Sequence, residues 1–128
     1  MKEVGKNQTQ KASLLVELST VEDVCVIHVS GSFVGKAVSV FRRVCSDAQR
    51  LGLPHRVVDL SEVDEIDGYG IACLVGLLAR RKKARGHVIL CGINPDLRHK
   101  FEATRCDSVF RMAVSSSGAL ELLKGSSR

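Results

Sequence analysis

The sequence predicts a single α/β domain with a mixed β-sheet that is opened by a hairpin, parallel in its later part, and covered by about four α-helices. Three observations carry this. Two β-rich runs stand side by side near the start, strand-type and amphipathic helical runs alternate after them, and the length of 128 residues suits one domain. A chain of this length buries roughly two-thirds of the surface that its unfolded form exposes, enough for its own core.

Residues 1–12 (M-K-E-V-G-K-N-Q-T-Q-K-A) are polar and aperiodic, and are expected to form a flexible arm. Leu14 to Leu18 and Val24 to Val29 are β-rich, and the short polar link S-T-V-E-D between them reads as a hairpin. His28 in the second run has no evident Ser, Cys or acid partner, which favours a structural role over a catalytic one. After Gly31 and Gly35, the set Ala37, Val38, Phe41, Val44, Cys45, Ala48 and Leu51 keeps helical spacing. Gly52 and Pro54 stop that helix, and H-R-V-V-D-L reads as a short strand ending at Asp59.

An acidic loop is expected next, over Asp59 to Tyr69. Ile71, Leu74, Val75 and Leu78 then carry a second helix to about Lys83, with Gly86 as terminator. His87 to Gly92 is an almost wholly apolar run, as a strand inside a sheet requires. Asn94 supplies a cap, Pro95 a first helical position and Asp96 an acid in the first turn of a third helix to about Ala103. Val109 to Val114 reads as an edge strand, and Ser115 to Ser117 offer a cap to a last helix over Ala119 to Leu123. The domain is expected over residues 13–124, with a short tail at 125–128.

Apolar residues make up 45% and charged residues 26%, an ordinary globular mixture. Five cysteines lie singly in apolar runs, with no C-x-x-C and no metal-ligand spacing. They read as small buried hydrophobes in a reducing compartment, and no metal or cofactor is expected. No signal-peptide pattern opens the sequence and no apolar run is long enough to span a bilayer, so a cytoplasmic protein is expected. The net charge of +5 raises nucleic acid or an anionic membrane as partners. Its concentration in R-R-K-K-A-R, Arg80 to Arg85, argues against both: cations suit a helix C-terminus, and no aromatics interleave with them.

The segment V-D-E-I-D-G-Y-G-I-A-C, Val63 to Cys73, is the richest in chemical possibility. A dinucleotide loop fails there. Cys73 stands where a third glycine belongs, the glycines come well after the strand, and no acid lies about twenty residues on to hold a ribose. Asp64, Glu65 and Asp67 would also repel a pyrophosphate. Acid/base catalysis by Asp59, Asp64, Glu65 and Asp67, or a Mg²⁺ site built from them, needs a pocket that a solvated turn does not supply. No nucleophile, base and orienter stand at recognisable spacing, so an enzyme is not expected.

V-S-G-S-F at Val29 to Phe33, V-V-D-L-S-E-V-D-E-I-D at Val57 to Asp67, G-I-A-C-L-V-G-L-L from Gly70, and R-G-H-V-I-L-C-G-I-N-P-D-L-R from Arg85 together resemble the STAS domain, best known as the bacterial anti-sigma factor antagonist. The resemblance spans about Leu14 to Leu123. It implies a compact α/β domain that catalyses no reaction and presents the loop and following helix to an anti-sigma factor of the serine-kinase type. The implied partner-binding residues are Ser32, Phe33, Asp59, Ser61, Asp64, Asp67, Gly68, Tyr69 and Gly70, in a monomer or weak homodimer.

In the family pattern the acid at Asp67 is followed by Ser-Ser-Gly or Ser-Thr-Gly, and the partner kinase phosphorylates the first serine. That phosphate blocks binding, and a phosphatase reverses it. Here Gly68 holds the acceptor position and Tyr69 the next. Glycine has no hydroxyl, the Tyr69 phenol reaches several ångströms farther out, and Ser61 lies outside the turn. The sequence is compatible both with a lost phospho-switch and with a glycine that permits a special backbone angle. The resemblance also admits a STAS subunit of a lipid-transport ABC system, or a nucleotide- or lipid-sensing module using Arg80 to Arg85.

Overall fold

The computed structural model describes residues 14–126. The elements follow in the order β1 (Leu14–Val21), β2 (Val24–Phe33), a 3-10 turn (Gly35–Ala37), α1 (Val38–Arg50), β3 (His55–Ile66), α2 (Gly68–Lys83), β4 (Val88–Cys91), α3 (Pro95–Ala103), β5 (Arg111–Ala113) and α4 (Ser116–Ser126). One five-stranded sheet has the order β1-β2-β3-β4-β5. β1 and β2 are antiparallel, and every later pair is parallel, as the initial hairpin and the later alternation require. The arm expected for residues 1–12 lies outside the described residues, and α4 runs on into the segment expected as a tail.

Alternation along the central strands divides the core. Ile27, Val58, Val88 and Leu90 face one layer with Phe41 of α1, Leu74 of α2 and Phe101 of α3. Val24, Val57, Ile89 and Cys91 face the other, where α4 buries Ala119 and Leu123. Burying Leu123 alone contributes about 1.5–3 kcal/mol. Four cysteines are buried and Cys106 is half-buried; all five are free thiols. Burial pushes the Cys45 thiol up to about 11 and the Cys91 thiol up to about 12, so both remain protonated.

The hairpin turn is tighter than the S-T-V-E-D link suggested, because Val21 pairs directly with Val24 and leaves only Glu22 and Asp23 in the turn. Glu22 takes a left-handed φ of 54° to close it. The basic run also differs from the solvated helix end the sequence suggested. Arg81 is buried, its Nη1 directed to the carbonyls of Leu53 and Pro54 at 3.4 Å.

The largest departure concerns β3. The expected strand ended near Asp59, followed by a loop to Tyr69, yet β3 continues to Ile66. Beyond Asp59 it pairs with β2 alone, so β2 and β3 project past β4 as a two-stranded extension. Two register shifts interrupt this pairing, one between His28 and Ser30 and one between Gly31 and Ser32. Each inserts one residue into β3, converting the two-residue burial period into three, and Leu60, Val63 and Ile66 face the core in turn. The intervening Ser61, Glu62, Asp64 and Glu65 are exposed. A two-residue alternation test does not recognise such a segment as a strand.

Gly70 shows how closely α2 docks on the end of this extension. A Cβ there would collide with the Phe33 carbonyl oxygen and lie 2.7 Å from Ile66 Cγ1. Gly70→Ala is therefore expected to lower unfolding free energy by about 1–3 kcal/mol, the range for overpacking a filled site, measured by denaturant unfolding.

Candidate functional site

The extension delivers the acidic residues to the start of α2, and Asp67 holds the junction together. Its backbone is extended, ending the strand, while its side chain caps the helix: Oδ1 accepts from Gly70 N–H at 3.1 Å. Its other oxygen, Oδ2, accepts from Gly35 N–H at 3.0 Å. One carboxylate therefore ties the start of α2 to the turn that leads from β2 into α1. The cap at this helix is Asp67, and Gly68 is the first helical residue.

Gly68 and Tyr69 are exposed, Tyr69 at 66%. A Cβ at Gly68 would meet nothing within 4 Å, and its backbone is not left-handed. The special-angle explanation for this glycine is thereby excluded. Within a helix glycine is less favourable than alanine by roughly 0.5–1 kcal/mol, so its presence gives the fold no local benefit. Gly70, two residues on, is the glycine that close packing demands.

The remaining residues of the predicted site separate into two groups. Ser32 Oγ donates to Asp64 Oδ1 at 3.3 Å across the β2–β3 pair, on the exposed side. Ser61 is exposed, and its N–H donates to Asp59 Oδ1 at 3.0 Å. Phe33, by contrast, is fully buried, with its ring centroid 5.0 Å from that of Phe41, and Gly70 is also buried. These two underlie the surface instead of forming it, because Phe33 points into the core at the end of β2.

A cluster that the sequence did not disclose lies beside Asp59. His28, expected to be without an acid partner, has Nδ1 at 3.1 Å from Asp59 Oδ2 and Nε2 at 3.2 Å from Glu62 Oε1. The parallel register sets His28 opposite Asp59, and the first bulge brings Glu62 beside it. No local pattern announces a pairing across more than thirty residues. Burial opposes the charge on His28, but hydrogen bonds and attraction from Glu62 and Asp59 outweigh it and raise its pKa. Burial likewise opposes ionisation of Asp59, yet hydrogen bonds from Ser61 and the contact with His28 hold its carboxyl below the usual range.

Two outcomes follow for this junction. Replacing Asp67 with Ala removes the helix cap and leaves the Gly35 N–H without its acceptor, and is expected to cost about 2 kcal/mol in chemical denaturation. His28 contributes stability that is fully present below its unfolded pKa and fades as pH rises through its elevated folded pKa. The Asp59 contribution persists down to its depressed folded pKa. The melting-temperature advantage of the native protein over His28→Gln should therefore shrink from about pH 5.5 to about pH 8.5. An advantage that grows over that interval would contradict the pairing.

Comparison with known proteins bears on the whole arrangement. An anti-sigma factor antagonist from Mycobacterium paratuberculosis superposes with a TM-score of 0.80 at 19% identity, covering 91% of this chain and 99% of that one. An RsbS variant from Moorella thermoacetica gives 0.77 at 17% identity, with 88% and 97% covered. The anti-sigma factor antagonist SpoIIAA in its unphosphorylated form gives 0.68 at 20% identity, with 87% and 99% covered. These likenesses establish a shared fold. A family model described as the STAS domain matches residues 16–119, from β1 into α4. The chain, with its hairpin-led mixed sheet and its capped helix after the bulged third strand, belongs to the STAS domain family.

Proposed function

We propose that this protein is a non-catalytic regulatory binding module that engages an anti-sigma factor of the serine-kinase type. The contact surface is the exposed side of the β2–β3 extension with the first turn of α2: Ser32, Asp59, Ser61, Asp64, Asp67, Gly68 and Tyr69. It operates without a phospho-switch at Gly68. The observation that carries this reading is that Gly68 is exposed and unstrained, with open space where a Cβ would stand, on a scaffold that Asp67 and Gly70 keep in register. Loss of the hydroxyl at that position removes the acceptor and leaves the surface in place.

Family membership and the neighbours' descriptions support the choice of partner. Solved relatives of this fold are described as anti-sigma factor antagonists, and SpoIIAA occurs in unphosphorylated and phosphorylated forms. A phosphate at the first turn of a helix is favoured by the unpaired N–H groups there, which is why that location suits a switch. A glycine takes this site out of the chemistry while leaving room for a serine.

The test is a kinase assay with radiolabelled ATP, paired with co-purification. The native protein is expected to bind the anti-sigma kinase and remain unlabelled, whereas Gly68→Ser, which introduces no clash, is expected to accept phosphate. Robust labelling of the native protein at Tyr69 or Ser61 would overturn the absence of a switch. Recovery of a transporter ATPase subunit with no kinase-type partner would overturn the partner class.

A further inference from the structure

On the opposite end of the sheet from the bulged extension, α1, α2 and the first residues of β3 enclose a cleft of about 270 Å³. Four arginines line it: Arg42 from α1, Arg56 from β3, and Arg80 and Arg81 from α2. Ser46 and Gln49 add polar groups from α1, while Cys45 and Leu77 form the apolar wall. No carboxylate lines the cleft, and among the described residues none of the four arginines is ion-paired with an acid.

Two of the four are held in place by the fold. Arg56 is 1% exposed and its Nη1 donates to the Leu53 carbonyl at 2.8 Å and to the His55 carbonyl at 3.2 Å. Arg81 is directed to the same Leu53 carbonyl and to that of Pro54. These bonds fix the guanidinium planes but use carbonyl oxygens, which carry no full charge. Arg56 Nε remains a buried donor without an acceptor. A buried unsatisfied donor costs on the order of 1–3 kcal/mol, and more for a charged group.

Burial and the adjacent Arg81 charge both press the Arg56 guanidinium below its ordinary pKa, the direction expected where cations are crowded together. Arginine nevertheless stays protonated at neutral pH, so the crowding is an electrostatic cost that a mobile counter-charge relieves. Arg42, which also contacts the Cys73 thiol, and Arg80 are exposed and stand at the rim, within reach of such a group. The end of α2 nearby carries the negative pole of its dipole, equivalent to about half a charge. Four full positive charges outweigh it.

We propose that this cleft is a binding site for a small phosphoanion, with one phosphate seated between Arg56 and Arg81 and a second within reach of Arg42 and Arg80. Guanidinium forks match phosphate oxygens two at a time, and the geometry here supplies several such forks in one concavity. The volume is just under the range of pockets that enclose drug-sized ligands, so it takes a pyrophosphate or the phosphate chain of a nucleotide, with any base and sugar left outside. An acidic peptide side chain matches the site less well, since a single carboxylate offers one charge and two oxygens to four guanidinium groups. The site is remote from Gly68 and requires nothing of the partner surface proposed above.

Calorimetric titration of the full protein at low ionic strength tests this, with pyrophosphate, orthophosphate, sulfate and ATP as probes. Pyrophosphate is expected to bind at one site, more tightly than orthophosphate or sulfate, and to be weakened by added salt. The double variant Arg42→Gln/Arg80→Gln, altered only at exposed rim positions, should keep its melting temperature and lose about tenfold or more in affinity. The Nε–Hε resonance of Arg56 should shift on saturation, a readout that needs no substitution of a buried residue. ATP binding tighter than pyrophosphate assigns the ligand to nucleotides, and equal affinity assigns it to the phosphate chain alone. Absence of saturable pyrophosphate binding at millimolar concentration, or affinity unchanged in the double variant, overturns the proposal. So does saturable binding of a polyglutamate peptide that pyrophosphate fails to displace.

Discussion

The carboxylate of Asp67 sets the geometry of the end of the domain where β3 hands over to α2. One oxygen caps α2 through Gly70 N–H and the other holds Gly35 N–H, where β2 turns toward α1. Two helices that begin many residues apart in the chain thus start from a common point. Gly70 makes the same junction close-packed, because only a residue without Cβ lets the helix approach Phe33 and Ile66. The polar anchor and the steric gap act at positions three residues apart, so a change at either displaces the same turn.

The extension of β2 and β3 gives this junction its chemical character. Two bulges turn the burial period of β3 from two to three, which preserves the apolar contacts of Leu60, Val63 and Ile66 while exposing pairs of polar residues between them. Acids that a solvated loop would scatter are thereby presented from a bulged but paired strand. His28 lies between Asp59 and Glu62 and neutralises part of this charge when protonated, and the raised His28 pKa and lowered Asp59 pKa both draw on that contact.

Charge is distributed unequally across the molecule. Carboxylates gather along the β2–β3 extension, whereas four arginines surround the cleft between α1 and α2. The net charge of +5 conveys neither feature. Arg81 belongs to the cleft although it lies within a run that reads as a solvated helix end, because only its position on α2 turns it inward while Lys82 and Lys83 face water.

Several parts of the architecture were legible in the residues alone, because they rest on local physics. Helical spacing located α1 and α2, the Asn94-Pro95 pair marked the start of α3, where Asn94 Oδ1 accepts from Leu97 N–H at 2.8 Å, and the uninterrupted apolar run of β4 announced a strand covered on both faces. The motif from Val57 to Asp67 pointed to the family to which the chain belongs. Tertiary structure alone decided that the acidic segment is a bulged strand, that Phe33 lies beneath the surface, that Gly68 is unstrained, and that His28 and the four arginines have the neighbours they do. Each of these depends on strand register or on helices converging across the sheet, and contacts between residues distant in sequence leave no periodicity by which to recognise them.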